Sequence, residues 1–171
     1  MLGFFTTRDL DQFVRLKTIL ACATFVVTKS AWSQAPISVV VEGTAHTVSA
    51  ASLQKLARDT ARMVFHDQPV VYQGVSLAAV LREAGVRSDS LRGPALATRL
   101  VVEASDGYRV VLTLADLDPS LGGRRVLLAD RMDGKSLPAS EAPWRLIVVG
   151  DQRPSRSARQ VVRIRVLAEP R

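Results

Sequence analysis

The chain has 171 residues, a formal net charge of +7 and 5% aromatic residues. This length is enough for one domain that buries its own core and needs no disulfide or metal ion to fold. Because the basic residues are scattered rather than arranged in a stripe, and aromatic residues are few, we do not expect nucleic acid as a partner.

The first segment has the order of features that is typical of a secretory signal peptide. Arg15 and Lys17 precede an apolar run at 18–28, and Ser-Gln-Ala at 33–35 places small residues at a cleavage site. The run is shorter than the roughly 20 residues that cross a bilayer. We therefore predict a signal peptide over residues 1–35, a periplasmic or secreted protein, and no stable membrane span after cleavage. The alternative is a signal that is retained as an anchor.

The only cysteine, Cys22, lies inside this predicted signal peptide, so the domain at 36–171 has no thiol. It must fold without the disulfides that an oxidising compartment permits. The signal also has no twin-arginine pair, and a general secretory signal exports an unfolded chain with no cofactor in it.

The first half of the domain predicts alternating strands and short helices. A β-branched run at 37–42 predicts a strand, with a hairpin partner at 46–48. Ser49 is placed to cap a short helix. Two short strands follow at 63–65 and 70–72, separated by a polar link that ends at Pro69. Ser76 then caps a second helix at 77–84, with Gly85 at the position after its end.

The second half is dominated by strands. The turn Ser-Asp-Gly at 105–107 lies between predicted strands at 100–102 and 108–112, which indicates a hairpin. Further strands are predicted at 126–129, 144–149 and 161–167, with a turn at Asp133-Gly134. The fold class is therefore α+β, a single domain with a mixed or mostly antiparallel sheet and two or three short helices.

Four segments resemble, in order, the oxidoreductase molybdopterin-binding domain of the sulfite oxidase type. They are the segment from Tyr72 to Gly85, which begins Tyr-Gln-Gly-Val-Ser-Leu, then Glu-Ala-Ser-Asp-Gly-Tyr at 103–108, Leu-Leu-Ala-Asp-Arg-Met-Asp-Gly-Lys-Ser-Leu-Pro at 127–138, and Pro-Trp-Arg-Leu-Ile-Val-Val at 143–149. The final strand matches the place where the family closes its sheet. The resemblance covers roughly 70–168 and implies the family's fold.

The resemblance also implies molybdopterin as a possible cofactor, with molybdenum held by a cysteine thiolate on the stretch before the aromatic-Gly segment. The chain has no cysteine there, at 61–68, and carboxylates and imidazoles do not replace a thiolate like for like. The part of the family enzymes that supplies much of the pterin pocket is also largely missing before Tyr72. We therefore assign no catalytic residue and no metal ligand, and expect no cofactor.

Other candidate groups have an ordinary structural interpretation beside the functional one. His66-Asp67 lies near the place of the missing ligand, but one such pair is a poor metal site and suits a solvated strand end. Asp106, Asp130 and Asp133 could gather as hard ligands, yet Asp106 and Asp133 precede glycine and are typical of turns. Trp144 is typical of a core residue.

The sharpest local cluster is Arg-Pro-Ser-Arg-Ser-Ala-Arg at 153–159. Arg153, Arg156 and Arg159, with Ser157, offer forked donors and a hydroxyl suited to a phosphate or a carboxylate. The resemblance suggests a pterin phosphate as one such anion, and the alternative is a solvated basic loop. Tyr72 and Tyr108 either line a cleft or pack in the core, and the sequence fits both interpretations.

The sequence thus favours an exported binding or accessory module without redox chemistry, whose partner is a small anionic ligand or an envelope protein. Two alternatives remain. One is a genuine molybdopterin-dependent oxidoreductase, or a subunit of one. The other is an envelope protein-interaction domain.

Overall fold

The computed structural model describes residues 35–65 and 68–168. The predicted signal peptide, apart from Ala35, lies outside the described residues, as do Cys22 and the His66-Asp67 pair. The strands are β1 (Ile37–Val41), β2 (Thr44–Val48), β3 (Arg58–Phe65), β4 (Gln68–Ser76), β5 (Arg99–Ala104), β6 (Arg109–Thr113), β7 (Val126–Met132), β8 (Lys135–Ser136), β9 (Arg145–Val148) and β10 (Val161–Leu167). The helices are α1 (Ala50–Lys55), α2 (Leu77–Glu83) and α3 (Leu114–Leu117), and the 3₁₀ turns are Gly93–Ala97 and Pro154–Arg156.

The strands form two sheets. The first has the order β2-β1-β10-β5-β6, and the second has the order β3-β4-β7-β8, with β9 also paired to β7. Every pairing is antiparallel except β1 with β10, which is parallel. The predicted α+β class and mixed sheet are confirmed, and the predicted sheet is in fact two sheets over one main core.

Alternation of side chains decides which face of the first sheet is buried. Ile37 and Val39 of β1 are almost fully buried with Ile164 of β10, whereas Ser38 and Val40 lie on the opposite face. The second sheet is covered on both sides, because the main core contacts one face and a smaller cluster around Tyr72 covers the other. The first sheet therefore has one face open to solvent, whereas both faces of the second sheet are covered by apolar clusters.

Local signals place α1 and α2 as expected, although the Ser76 side chain forms no capping hydrogen bond at the start of α2. The Ser49 hydroxyl accepts a hydrogen bond from the Ser52 amide at 3.1 Å and caps α1. Gly85 follows α2 with φ of +82°, a conformation that glycine adopts without strain. The sequence did not predict α3, which begins with a capping box between Thr113 and Asp116.

The hairpin of β3 and β4 is longer than predicted. Pro69 was expected in a link, but it lies within β4, paired with Val64 of β3. The strand β7 pairs with β4 only from Tyr72 onward. At Pro69 one edge of β4 therefore has no neighbouring strand among the described residues, and the missing N–H of proline breaks no hydrogen bond there. The prediction was wrong here because the proline stands beside a single neighbour.

Gly74 fixes the approach of β4 to β7. A Cβ atom at Gly74 would lie 2.1 Å from the backbone oxygen of Leu128, at the irregularity in the register beside Gln73. Only glycine lets the two backbones approach this closely. This gives a physical reason for the aromatic-x-Gly segment that was recognised in the sequence. Among the residues described here, no helix is long and apolar enough to span a bilayer.

Candidate functional site

A cleft of about 560 Å³ opens beside β4 and β7, within the size range of small-molecule sites. It lies where these strands meet the segment before β9, the β5–β6 turn and the arginine-containing loop at 153–159. Its lining comprises Val70, Tyr72, Asp106, Tyr108, Met132, Glu141, Arg145, Pro154, Ser155, Ser157, Ala158 and Arg159. Aromatic and aliphatic walls thus surround a few charged groups.

The floor of the cleft is a buried charged pair against an aromatic ring. Arg145 is 7% exposed and pairs with Glu141, while its guanidinium carbon lies 5.1 Å from the centre of the Tyr72 ring. The Tyr72 hydroxyl donates to Oε2 of Glu141 at 3.4 Å. These contacts hold all three side chains in one arrangement.

The phenol of Tyr72 stays neutral far above neutral pH. Burial is the main cause that raises its pKa to about 12; the Arg145 charge works in the opposite direction, and Glu141 raises the pKa further. The floor therefore presents a neutral phenol and an ion pair, so its net charge is close to zero.

The rim carries two exposed charges and a fixed aromatic ring. Tyr108 is 48% exposed, yet its hydroxyl donates to the Ser155 carbonyl at 2.7 Å, and its amide donates to Asp106 at 2.9 Å. Arg159 is exposed and forms no hydrogen bond or ion pair with the rest of the described chain. Its donors are therefore available to a ligand.

The four residues predicted to bind an anion do not all line the cleft. Arg159 and Ser157 line the cleft, whereas Arg153 is exposed outside its lining. The Ser157 hydroxyl is buried and accepts from the Val148 amide at 3.3 Å. Arg156 donates to Asp151, with Nε 2.8 Å from Oδ2. The hydrogen bond to Asp151 is the main reason that the pKa of Arg156 is raised. Nε and Nη2 of Arg156 are both directed at Asp151, so fewer of its donors are available to an anion.

Asp151 is shared by two arginines. Its side chain is 11% exposed and lies 3.1 Å from Nη1 of Arg124, in addition to Arg156. Arg124 also approaches Asp116 at 4.0 Å. Desolvation would raise the pKa of Asp116, but hydrogen bonds from Thr113 and the charge of Arg124 outweigh it and lower that pKa. This network braces the loop behind the cleft.

The three aspartates that were weighed as hard ligands are dispersed. Asp130 pairs with Arg58 at 3.0 Å, Asp133 accepts from the Val71 amide at 2.9 Å, and Asp106 accepts from the Tyr108 amide. Within residues 35–65 and 68–168, no three His, Cys, Asp or Glu side chains gather where they could hold a metal ion. The turn interpretation of Asp106 and Asp133 is confirmed.

Sequence reasoning missed Arg145 and Glu141 as site residues. Arg145 was included only as a member of an apolar strand, and Glu141 was not considered. A usable signal was present, because an arginine inside the otherwise apolar run at 144–149 needs a buried partner. Both tyrosines line the cleft, and Tyr72 is also a core residue at 2% exposure. Trp144 is buried and donates from Nε1 to the Ala35 carbonyl at 3.1 Å, as expected of a core residue.

The sequence model of the oxidoreductase molybdopterin-binding domain matches residues 68–171, and the chain belongs to this family. The structure is similar to that of the sulfane dehydrogenase SoxCD from Paracoccus pantotrophus, with a TM-score of 0.57 and 17% identity. The similarity covers 77% of this chain and 37% of the SoxCD chain, so this chain spans little more than a third of that protein. No curated protein matches the sequence.

The lining of the cleft does not fit a molybdenum ion. It offers carboxylates, phenols, guanidinium groups and one sulfur, the uncharged thioether of Met132, whereas the family's metal is held by a thiolate. Arg159 fits an anionic group, including the phosphate of an organic pterin. The residues present therefore suit an anion and leave the metal without its ligand.

Proposed function

We propose that this chain is an exported binding or accessory module without redox chemistry, and that its cleft takes a small anionic ligand. The observation that carries the proposal is the make-up of the cleft. It has an exposed guanidinium at Arg159, a floor of Arg145, Glu141 and Tyr72, and no thiolate.

Each group has a separate part in binding. Arg159 supplies forked, charge-assisted donors to the anionic end of the ligand. The ring of Tyr108 provides an apolar wall. Its hydroxyl is already hydrogen-bonded to the Ser155 carbonyl, so the side chain loses little conformational entropy when a ligand binds. Arg145 is already neutralised by Glu141, so it shapes the floor and does not compete for the anion.

Asp106 adds a selectivity element to the proposal. Its carboxylate lies on the same rim as Arg159 and repels an anion that has no hydrogen-bond donor. A ligand that presents an acidic group to Arg159 and a donor group to Asp106 satisfies both side chains. We infer that the ligand is a small acid that also carries N–H or O–H groups.

The binding part of this proposal is tested by titrating the protein with inorganic phosphate and following amide chemical shifts by NMR. Shifts are expected at the cleft. Substitution of Arg159→Gln should weaken phosphate binding by about tenfold or more, and Asp106→Asn should strengthen it. Arg153→Gln is the matched control, because it removes the same charge from the same loop outside the cleft. Equal losses from Arg153→Gln and Arg159→Gln would contradict the assignment.

Export rests on the N-terminal pattern of charge, apolar run and small residues before Pro36. The intact mass of protein recovered from a periplasmic extract tests it, and a chain that begins at Pro36 is the expected result. Recovery of the uncleaved chain in the membrane fraction would instead support the retained anchor.

A molybdopterin-dependent oxidoreductase is the second candidate, and the family membership favours it. In that case Arg159 would hold the pterin phosphate. Replacing Arg159 by alanine would then abolish pterin binding, whereas replacing Arg156 also breaks its pair with Asp151. Under the first proposal, by contrast, the protein from a molybdopterin-competent host carries no molybdenum.

A further inference from the structure

The outer face of the first sheet carries a concentration of arginine. Cross-strand register places Arg109, Glu103 and Arg163 in one row and Val111, Val101 and Arg165 in the next. Residues that are neighbours across strands in this way share one face of a sheet. This face, which we call the arginine face, is opposite the buried side chains of Leu100, Val102 and Ile164.

One carboxylate serves three guanidinium groups on the arginine face. Oxygen atoms of Glu103 lie 3.7 Å from Nε of Arg109, 3.5 Å from Nη1 of Arg163 and 3.5 Å from Nε of Arg165. None of these contacts meets hydrogen-bond geometry, and the arginine side chains are 67%, 53% and 41% exposed. Most of their donors therefore face solvent.

The surplus of positive charge is larger on this face than at the other ion pairs that the structure describes. Arg82 and Arg87 share Asp89, and Arg124 and Arg156 share Asp151, so elsewhere among these pairs at most two arginines meet one carboxylate. Arg58, Arg125, Arg145 and Arg156 each donate a hydrogen bond to a carboxylate. Three arginines against one glutamate leave two unbalanced charges on a small area of sheet. Such a patch attracts a partner of negative charge.

An apolar residue lies within the same patch. Val111 is 54% exposed on the edge strand β6, next to Val101 and one row from Arg109. Exposed aliphatic groups among arginines are the combination that favours the interface of an anionic bilayer, where phosphates take the guanidinium groups and the aliphatic groups enter the headgroup region.

We propose that the arginine face docks the protein on an anionic lipid surface. A sheet face is a broad surface without a cleft, and lipid phosphates can move laterally until each meets a guanidinium fork. An acidic protein has its carboxylates at fixed positions and would need a surface that matches all three arginines. The proposal is independent of the ligand in the cleft.

Sedimentation with vesicles tests this docking. The full-length protein is mixed with phosphatidylcholine vesicles that contain or lack phosphatidylglycerol, at low and at high salt. The readout is the difference between anionic and neutral vesicles, because the apolar run at 18–28 could enter either bilayer. Preferential binding to the anionic vesicles, weakened by salt, is expected.

Two sets of variants locate the surface. The triple variant Arg109→Gln, Arg163→Gln and Arg165→Gln should lose about fivefold in binding for each arginine, roughly a hundredfold in all. The triple variant Arg62→Gln, Arg92→Gln and Arg153→Gln is the matched control, since it removes the same charge from exposed positions outside the first sheet. Glu103→Gln should tighten binding about fivefold. Because this variant is expected to gain binding, the result cannot be explained by unfolding.

Several results would overturn the proposal. They are equal binding to neutral and anionic vesicles, equal losses from the two triple variants, and no effect of Glu103→Gln. Binding to poly-glutamate without binding to anionic vesicles would also overturn it and would indicate an acidic protein as the partner. Circular dichroism of each variant confirms that any loss of binding occurs in a folded chain.

Discussion

Arginine side chains have different surroundings in two regions of the molecule. Behind and beneath the cleft, Arg145 pairs with Glu141 and Arg156 pairs with Asp151, and both carboxylates are largely buried. On the arginine face, Arg163 and its two neighbours share Glu103 without a hydrogen bond. The same residue type is thus hydrogen-bonded to a buried carboxylate in one region and available to a partner in the other.

The difference teaches that the number of arginines says little about function until their partners are known. A buried guanidinium must be paired, because an isolated charge is costly in a medium of low polarity. An exposed guanidinium is solvated and can exchange water for a ligand at little cost. The arginines beneath and behind the cleft are therefore structural, and Arg159 and the arginine face offer guanidinium groups that are suited to recognition.

The largest effect is expected from breaking the pair on the cleft floor. Arg145→Ala leaves Glu141 largely buried without its partner, so the free energy of unfolding should fall by about 3–5 kcal/mol. Urea denaturation measures the change. The double variant Arg145→Met with Glu141→Gln removes both charges and should recover much of the loss. A loss under about 1 kcal/mol for Arg145→Ala would contradict the distinction between the two regions.

A smaller effect is expected from the shared carboxylate behind the cleft. Asp151→Asn leaves Arg124 and Arg156 with a neutral partner, and their side chains are 36% and 38% exposed. The free energy of unfolding should fall by about 1–2 kcal/mol. The matched variant Glu103→Gln removes a carboxylate that is as buried as Asp151, at 13% against 11% exposure, but its three arginine partners are more exposed and form no hydrogen bond with it. Stability should therefore change by less than about 1 kcal/mol. Equal losses would show that the two networks do not differ.

The phenol of Tyr72 provides a test of how closed the floor is. The chain has two tyrosines, so in Tyr108→Phe the phenolate absorbance at 295 nm reports on Tyr72 alone. It should appear only as the pH approaches about 12. Because the folded pKa is raised, stability is full below the unfolded value of about 10 and is lost as the pH rises towards the folded value. Titration near pH 10 in the folded protein would mean that water reaches the floor.

The smallest effect is expected from a single arginine on the open face. Arg163→Ala removes one of three loose contacts to Glu103, and the side chain is 53% exposed. The thermal midpoint should therefore stay within a few degrees of the wild-type value. A loss as large as that from Arg145→Ala would show that the arginine face is structural and would weaken its assignment as a docking surface.

Local patterns in the sequence predicted much of the fold. The strand at Ile37–Val41, the Ser49 cap and Gly85 each depend on neighbours a few residues away, which the sequence displays directly. The extent of the β3–β4 hairpin and the place of Pro69 depended on which strand lies beside β4, and no local pattern records that pairing.

The site was predictable only in part for the same reason. The loop that carries Arg159 was found from its composition, but the sequence could not show that Asp151 would occupy Arg156. Glu141 and Arg145 are four residues apart, yet their meeting beneath Tyr72 brings together segments separated by 69 positions. Partners of buried charges follow from the tertiary fold, and they decide which charged groups remain for a ligand.

The most direct test of the account is the molybdenum and pterin content of the protein. The folded chain is purified from a molybdopterin-competent host, molybdenum is measured by mass spectrometry, and pterin is measured by fluorescence in the same sample. A chain without thiolate at the cleft should contain far less than one molybdenum per molecule. About one molybdenum and one pterin per chain would contradict the account and would make the oxidoreductase proposal the leading one.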